Sequence, residues 1–464
     1  MSRYPCQKMS SSCPGGMSRR SFLSGIAAGT MAGGMIGCGP ATSQSPHNIG
    51  APFDTGARIQ QPMSASSGSL AMPGPYVGRV IEVGHRGSIS EGHRDAAVVK
   101  TMVEQGMTRL VPEAESVVDA WRSFFQPGDR VGIKVVPVGK VNKPGLQRRD
   151  DAPMVDLRRP GSISSYELVH AVVEGLESAG VKRSDMLVFD RYLVDFTQAG
   201  YVAMLPDGVH WECSSAFGEA AQLEIDGQVR GMRRHKNVSG YDRDVFREMP
   251  YCQPPHIHGP QDDRRFRSHL SMIVSQKVDK IVCLPVLKDH RTGGVTLALK
   301  NMSHGFVNNV ARSHIGGTER QGVPPGNLNH CQTFIPAAVS LPTTREKCVL
   351  QILDGLEGTY EGGPGSWNST FATWEYGSLF FATDPVALDR IGWEIIDAKR
   401  AEEGWPSVAR MGLDSEQGMG PKSQDAPATE AFHIRQPQHI PLASLLGLGT
   451  FGKESIDHQR FQLA

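Results

Sequence analysis

The chain of 464 residues has no excess of charge of either sign, no cysteine pair of the C-x-x-C kind after residue 38 and no long hydrophobic run. Lys plus Arg equals Asp plus Glu at 48 each, so no general electric field favours nucleic acid or an anionic membrane surface. The absence of cysteine pairs excludes a ferredoxin-type iron–sulfur cluster and a cysteine zinc knuckle. A divalent metal bound by other side chains stays open, and so does the disulfide pairing of the later cysteines, which are Cys213, Cys252, Cys283, Cys331 and Cys348.

Residues 1–38 have the pattern of a signal peptide. Arg19 and Arg20 lie in the sequence Ser-Arg-Arg-Ser-Phe-Leu, a twin-arginine motif, and a mildly apolar Gly/Ala-rich run follows that is too short to span a bilayer. Cys38 ends a Met-Ile-Gly-Cys sequence similar to a lipobox, which predicts lipidation of Cys38, with simple cleavage nearby as the alternative. Met17 is an alternative start. The sequence thus predicts the twin-arginine export machinery as a partner, and a mature protein in the periplasm or cell envelope, anchored by lipid.

The composition of the remaining chain separates it into a linker, a domain and a C-terminal segment. Residues 39–75 are rich in Pro, Ser, Gly and Gln, which is typical of a flexible linker. Residues 76–400 alternate strand and helix patterns, which predicts an α/β domain with a mostly parallel sheet flanked by helices. Residues 197–267 are polar and predict an irregular middle insertion, and residues 401–464 are predicted to wrap the surface.

Two helix starts have recognisable signals. A helix is predicted over residues 164–180, where Ser164 and Glu167 have the spacing of a capping box. Asp384 followed by Pro385 predicts a second start, because proline fits the first turn of a helix. Between them, a buried strand is predicted at 348–353, followed by a Gly-rich loop that ends at Gly365.

The most unusual stretch is residues 278–314. An apolar run ends in Lys288 and His290, a Thr-Gly-Gly turn follows, and a helical segment then carries Lys300 and His304, with His314 beyond it. A buried strand that ends in charges and glycines is a common way for open α/β sheets to form ligand sites.

Polar groups follow several predicted strands where each strand ends. Because the carboxyl ends of parallel strands share one edge of a sheet, we expect these groups to lie around one crevice. They are Lys134, Asp190 with Arg191, Lys288 with His290, Asp354 with Glu357, and Asp384.

The residue types suggest roles in such a crevice. The lysines would bind a carboxylate or phosphate, glycines would let backbone amides approach it, and histidines titrate near neutrality. The predicted catalytic residues are His290, Lys300 and His304. The predicted substrate-binding residues are Lys134, Lys288, Gly293, Gly294, Asn301 and Glu357. The candidate ligands for a divalent metal are Asp354 and His314.

Four short segments resemble the domain-of-unknown-function 362 family. They are Lys288-Asp289-His290, Thr296 to Asn301, the loop from Asp354 to Gly365, and Asp384 to Asp389; the similarity extends over residues 79–400. The resemblance implies no defined activity. Some relatives carry ferredoxin-like cysteine motifs, which suggest redox roles, and this chain lacks those motifs.

The sequence therefore predicts an exported enzyme that acts on a small anionic metabolite through histidine and lysine side chains. Two alternatives stay open: a non-catalytic, lipid-anchored protein that binds the same ligand, and a redox component whose cofactor is inserted before export. No nucleic-acid partner is expected.

Overall fold

A computed structural model describes residues 69–139, 162–216, 235–249, 263–290, 292–310, 313, 331–365, 371–408 and 437–464. The twin-arginine residues Arg19 and Arg20, the lipobox residue Cys38, and His314 lie outside these ranges. Within the described residues, no helix combines the length and the apolar character needed to cross a bilayer.

Ten strands of the described chain form one central sheet in the order β14-β1-β13-β12-β9-β4-β5-β6, with β10 paired to the later part of β12 and β11 paired to β10. The strands are β1 (Arg79–His85), β2 (Ile89–Ser90), β3 (His93–Arg94), β4 (Val131–Lys134), β5 (Met186–Tyr192), β6 (His210–Ser215), β7 (Tyr241–Glu248), β8 (Arg267–Ser271), β9 (Lys280–Cys283), β10 (Val286–His290), β11 (Gly294–Val295), β12 (Cys348–Glu361), β13 (Ala372–Ala382) and β14 (Asp457–Leu463). Strands β2 and β3 form a separate hairpin, and β7 pairs with β8.

The helices cover both faces of this sheet. They are α1 (Ala96–Leu110), α2 (Val117–Arg122), α3 (Tyr166–Ala179), α4 (Leu193–Gln198), α5 (Tyr201–Met204), α6 (Leu297–Phe306), α7 (Cys331–Val339), α8 (Pro342–Lys347), α9 (Pro385–Glu402) and α10 (His439–Leu445). One apolar core contains side chains of α1, α2 and α3, and the other contains side chains of α6, α7, α9 and α10. The predicted α/β class with a mostly parallel sheet flanked by helices is confirmed.

Helix α9 begins where the sequence predicts. Pro385 occupies its first turn, and Asp384 Oδ1 accepts hydrogen bonds from the amides of Val386 and Ala387. Strand β13 runs antiparallel to β12, so its end lies at the opposite edge from the ends of the parallel strands. The prediction that Asp384 shares the carboxyl edge is therefore wrong, and Asp384 serves as a helix cap.

The start of α3 differs from the predicted capping box. Ser164 Oγ accepts from the Val136 amide and donates to the Leu284 carbonyl, at 2.8 and 2.6 Å. The N-cap is Ser165, whose amide and hydroxyl both donate to Asp354 Oδ2. A carboxylate from a distant strand thus takes the place of the local cap.

Strand β12 continues well past its predicted end. It pairs with β13 as far as Glu361 through two register shifts, and the side chains of Thr359 and Glu361 are fully buried. The later part of this strand shows no apolar pattern in the sequence, because it consists largely of glycines and polar residues. Their burial depends on neighbouring elements. The described part of residues 401–464 likewise includes β14, which pairs with β1 at the sheet edge.

The packing of α1 on β13 gives a direct test of the fold. A Cβ added at Gly106 would lie 2.0 Å from the ring of Phe381, so alanine cannot fit without movement. Gly106→Ala should lower the free energy of unfolding by roughly 2 kcal/mol in urea denaturation, although alanine favours a helix by about 1 kcal/mol.

Gly128→Ala is the matched control. No atom lies within 4 Å of the position that a Cβ would occupy there, and the φ of +92° should cost only about 1 kcal/mol. A neutral or stabilising Gly106→Ala would show that α1 does not pack on β13 in this way.

Candidate functional site

Lys134 connects three elements at the carboxyl edge of the sheet. It is the last residue of β4 and only 1% exposed, and its Nζ donates to Asp190 Oδ1 of β5 at 2.7 Å. The same ammonium donates to Asn301 Oδ1 of α6 and to the Val135 carbonyl, each at 2.7 Å. A buried ammonium is tolerated only when its donors are satisfied, and here all three are used.

Gly305 makes this contact possible. A Cβ at residue 305 would lie 2.5 Å from Lys134 Cε, so any larger residue would push α6 away from the lysine. Helix α6 can therefore lie directly on the side chain of Lys134.

Lys288 is a second buried cation at the same edge. Its side chain is fully buried, and Nζ donates to the backbone carbonyls of Val138 and Ser162. Burial lowers the pKa of Lys288 to about 7, against an opposing effect of Asp289.

Lys300 differs from both in having no hydrogen-bond acceptor for its amine among the described residues. It is 6% exposed, and among the described residues its amine has no hydrogen-bond or ion-pair partner. Burial lowers its pKa to about 8, and the charge of Arg191 acts in the same direction. We call Lys134, Lys288 and Lys300 the lysine cluster, since the charges of Lys134 and Lys300 both act on Lys288.

Two further polar groups near the cluster are buried without partners in the described part of the chain. Both ring nitrogens of His439, on α10, lack a hydrogen bond, and so does Asn301 Nδ2. Burial lowers the pKa of His439 to about 3, and the charge of Lys300 lowers it further, so the imidazole is neutral. Buried polar atoms without partners are rare in native proteins and indicate a place for a ligand or water.

His290 is held in one orientation by its own turn. Its Nδ1 accepts from the amides of Thr292 and Gly293, at 3.0 and 3.1 Å. A neutral ring that accepts at Nδ1 carries its proton on Nε2. The Gly293 amide, predicted to approach a substrate, is instead used by His290, while Gly294 supplies a positive φ of 77° next to it.

His304 lies on α6, one turn after Lys300. Its Nε2 is 2.8 Å from Ser313 Oγ and its Nδ1 is 3.0 Å from Ser303 Oγ, while its ring packs 5.1 Å from that of Phe334. Cys331 Sγ donates to the Ser313 carbonyl at 3.2 Å. A serine hydroxyl bonded to an imidazole can relay a proton.

The two predicted acidic residues lie apart from the lysine cluster. Asp354 Oδ2 accepts from Ser165, and its Oδ1 accepts from the Leu356 amide at 3.0 Å, so both oxygens are occupied. Glu357 pairs with Arg94 at 3.4 Å, and burial raises the pKa of Glu357. Glu357 belongs to a cavity of about 350 Å³ lined by Ile89, Gly92, Arg94, Glu357, Thr373, Trp374 and Glu375.

The metal prediction finds no support in the described part of the chain. No group of three or more His, Cys, Asp or Glu side chains there is arranged to hold a metal ion. Asp354, the described member of the predicted pair, has both oxygens engaged by the protein itself.

Three residues of the site have no signal in the sequence. His439 follows the polar sequence Gln-Pro-Gln, Cys331 begins an ordinary helix, and Ser313 lies in a polar stretch. Only the packing of α7 against α6, and of α10 against α7, brings His439 and Cys331 near Lys300.

The Lys134–Asp190 pair can be tested by a double-mutant cycle. Asp190→Ala should cost about 3–5 kcal/mol of unfolding free energy, because it leaves a buried ammonium without its carboxylate. Lys134→Met combined with Asp190→Ala should cost clearly less than the sum of the two single changes in urea denaturation.

The exposed pair Arg130–Asp279, at 2.7 Å, is the control and should show a coupling below about 1 kcal/mol. Equal coupling energies in the two cycles would contradict the special role of the buried pair.

A known protein family matches the part of the chain that contains most residues of the candidate site. Residues 251–394 match the family described as a domain of unknown function (DUF362), and this span contains Lys288, His290, Lys300, Asn301 and His304. Lys134, Asp190 and His439 lie outside it. No curated protein matches the chain. Over residues 251–394, the chain is therefore similar to the DUF362 family.

Proposed function

We propose that this chain is an exported enzyme that acts on a small anionic metabolite at the lysine cluster. The observation that carries the proposal is Lys300, a buried amine with no carboxylate partner among the described residues. A bound carboxylate, sulfate or phosphate would supply the missing negative charge.

The balance of charge supports an anion rather than a cation or a neutral molecule. Asp190 is already paired with Lys134, and Asp289 Oδ1 accepts from the Gly363 amide at 2.8 Å. Asp289 partly offsets the charge of Lys288, whereas no described carboxylate acts in this way on Lys300. Burying such charge is costly, and an anion that enters the site lowers that cost.

The hydrogen-bonding groups also suit a small anion. Asn301 Nδ2 is a buried donor without an acceptor in the described chain, next in sequence to Lys300. The cluster residues are at most 6% exposed, so the site favours a ligand of a few atoms over a polymer. Amide and ammonium donors together are a common way to hold carboxylate and phosphate oxygens.

Acid–base chemistry is available beside this anion site. His290 presents an Nε2 proton, since its Nδ1 accepts hydrogen bonds from its own turn. Lys300, with a pKa of about 8, exists in both protonation states near neutral pH. These groups favour an enzyme over a purely binding protein.

Sulfate tests the anion site, because its charge stays constant across the relevant pH range. Titration calorimetry on the full chain should give the tightest binding below about pH 7, where both lysines are protonated. The affinity should fall as pH rises through about 7 and about 8, where Lys288 and Lys300 lose their protons. Lys300→Met should weaken sulfate binding by about tenfold or more.

Lys100→Met is the control, since Lys100 is an exposed lysine paired with Glu174. It should bind sulfate like the unchanged protein. Sulfate binding that is equal in both variants, or that does not change with pH, would remove the proposal.

The export part of the proposal rests on the residues before the described domain. The twin-arginine motif and the lipobox-like sequence at Cys38 would deliver a folded protein to the cell envelope. A fold whose site residues come from distant parts of the chain suits a route that carries folded proteins.

Arg19→Lys combined with Arg20→Lys should keep the protein in the cytoplasmic fraction of a bacterium that has the twin-arginine pathway. Arg58→Lys, in the stretch predicted to be a linker, is the control. Cys38→Ser should abolish lipid labelling without stopping export. Export of the double variant at the control level, measured by cell fractionation, would refute the assigned route.

A further inference from the structure

We propose that Lys300 forms a Schiff base with the carbonyl carbon of a small 2-oxo acid, and that His439 carries the proton which this step requires. The inference rests on the proposed function, because it names the substrate class and the covalent step of the same site.

The amine of Lys300 is available for reaction. Lys134 Nζ is committed to Asp190, Asn301 and a backbone carbonyl, and Lys288 Nζ is committed to two backbone carbonyls. Lys300 alone of the cluster has no such partner in the described part of the chain. An amine without a partner can turn its lone pair toward a substrate.

The same amine can be neutral when it is needed. Only a deprotonated amine attacks a carbonyl carbon. The groups that act on Lys300 are Arg191 from β5, Lys288 from β10, Cys331 from α7 and His439 from α10. Burial, and to a smaller extent Arg191, favour the neutral amine against an opposing effect of Cys331, and together they lower the pKa of Lys300 to about 8.

The surroundings of Lys300 indicate the class of substrate. Arg191 and Lys288 donate hydrogen bonds to neutral backbone carbonyls, so their charges still attract a carboxylate, and Asn301 Nδ2 is a buried donor without an acceptor in the described chain. A carboxylate held there would bring a carbonyl on the adjacent carbon close to the amine. A 2-oxo acid has this arrangement and is small enough for a buried site.

The step balances without any further reactant. Nζ of neutral Lys300 forms a bond to the carbonyl carbon, the carbonyl electron pair moves to oxygen, and one proton passes from the nitrogen to that oxygen. The nitrogen then gives up its second proton, which joins the hydroxyl. The hydroxyl leaves as water with its bonding electron pair, and the nitrogen lone pair forms the carbon–nitrogen double bond. One amine and one carbonyl give one imine and one water.

His439 is suited to carry the proton between these atoms. It is fully buried, its two ring nitrogens have no hydrogen-bond partner in the described chain, and it is near enough for the charge of Lys300 to affect its pKa. A neutral imidazole can take the proton from nitrogen and return it to the leaving hydroxyl.

Hydride trapping tests the imine. The full chain is incubated with glyoxylate or pyruvate and sodium cyanoborohydride, and the modified residue is located by peptide mass spectrometry. We expect stoichiometric labelling at Lys300, inhibited by sulfate. Lys300→Arg, which keeps the charge but cannot form a stable imine, should remain unlabelled, whereas Lys100→Arg should label like the unchanged protein.

The outcomes separate this inference from the proposed function. Sulfate binding that depends on Lys300 without any trapping would overturn the imine and leave the anion site intact. If neither Lys300-dependent sulfate binding nor trapping is observed, the proposed function and the imine are both overturned. Labelling spread over surface lysines at the same rate as Lys300, or unaffected by sulfate, would also refute the inference.

His439→Phe separates proton transfer from packing, because phenylalanine retains the ring but no nitrogen. We expect the rate of trapping to fall by about tenfold or more, with a much smaller change in sulfate affinity, because the His439 imidazole is neutral. A parallel loss of sulfate binding, or an unchanged rate, would show that His439 has only a structural role.

Discussion

The burial of the Lys134 ammonium is the constraint on which the rest of the site depends. A charged group enclosed between β4, β5 and α6 is stable only while Asp190, Asn301 and a backbone carbonyl accept its three protons. That requirement fixes how β4 and β5 align and how closely α6 approaches the sheet. It also explains the glycine at residue 305, where a side chain would meet the lysine itself. The hydrogen bonds of Lys134 therefore also position α6, the helix that carries Lys300 and His304.

The members of the lysine cluster differ in role: one stabilises the fold, and another is a candidate for chemistry. Lys134 is neutralised by Asp190 and holds the fold together, whereas Lys300 lies on the helix so positioned and has no carboxylate of its own among the described residues. Helices α7 and α10 add Cys331 and His439 from later parts of the chain. A low-dielectric site with surplus positive charge and unpaired donors is well suited to a small anion, and it lowers the pKa of an amine at the same time.

Position at one sheet edge was not enough to bring every polar residue together. Lys134 ends β4 and Asp354 lies within β12, a strand of the same direction. The side chain of Asp354 bonds to Ser165 at the start of α3, while that of Lys134 reaches Asn301 of α6. These helices belong to different apolar cores on the two faces of the sheet. Because neighbouring residues of a strand point to opposite faces, a small shift in register decides which site a residue joins. Glu357 accordingly lies beside Arg94, in a separate cavity.

The sequence by itself determined the α/β class, most helix and strand positions, and the lysines at the strand ends, because apolar periodicity and strand-end chemistry are local properties. It predicted α9 from Asp384 and Pro385 for the same reason. Strand order, register and helix packing were decided only by the tertiary structure, and they depend on contacts between residues far apart in the chain. Those contacts paired Lys134 with Asp190, placed Asp384 at the opposite edge and brought His439 to Lys300. Residues 278–314 thus contain the candidate residues Lys288, His290, Lys300 and His304, while the partner of each charge followed from the fold.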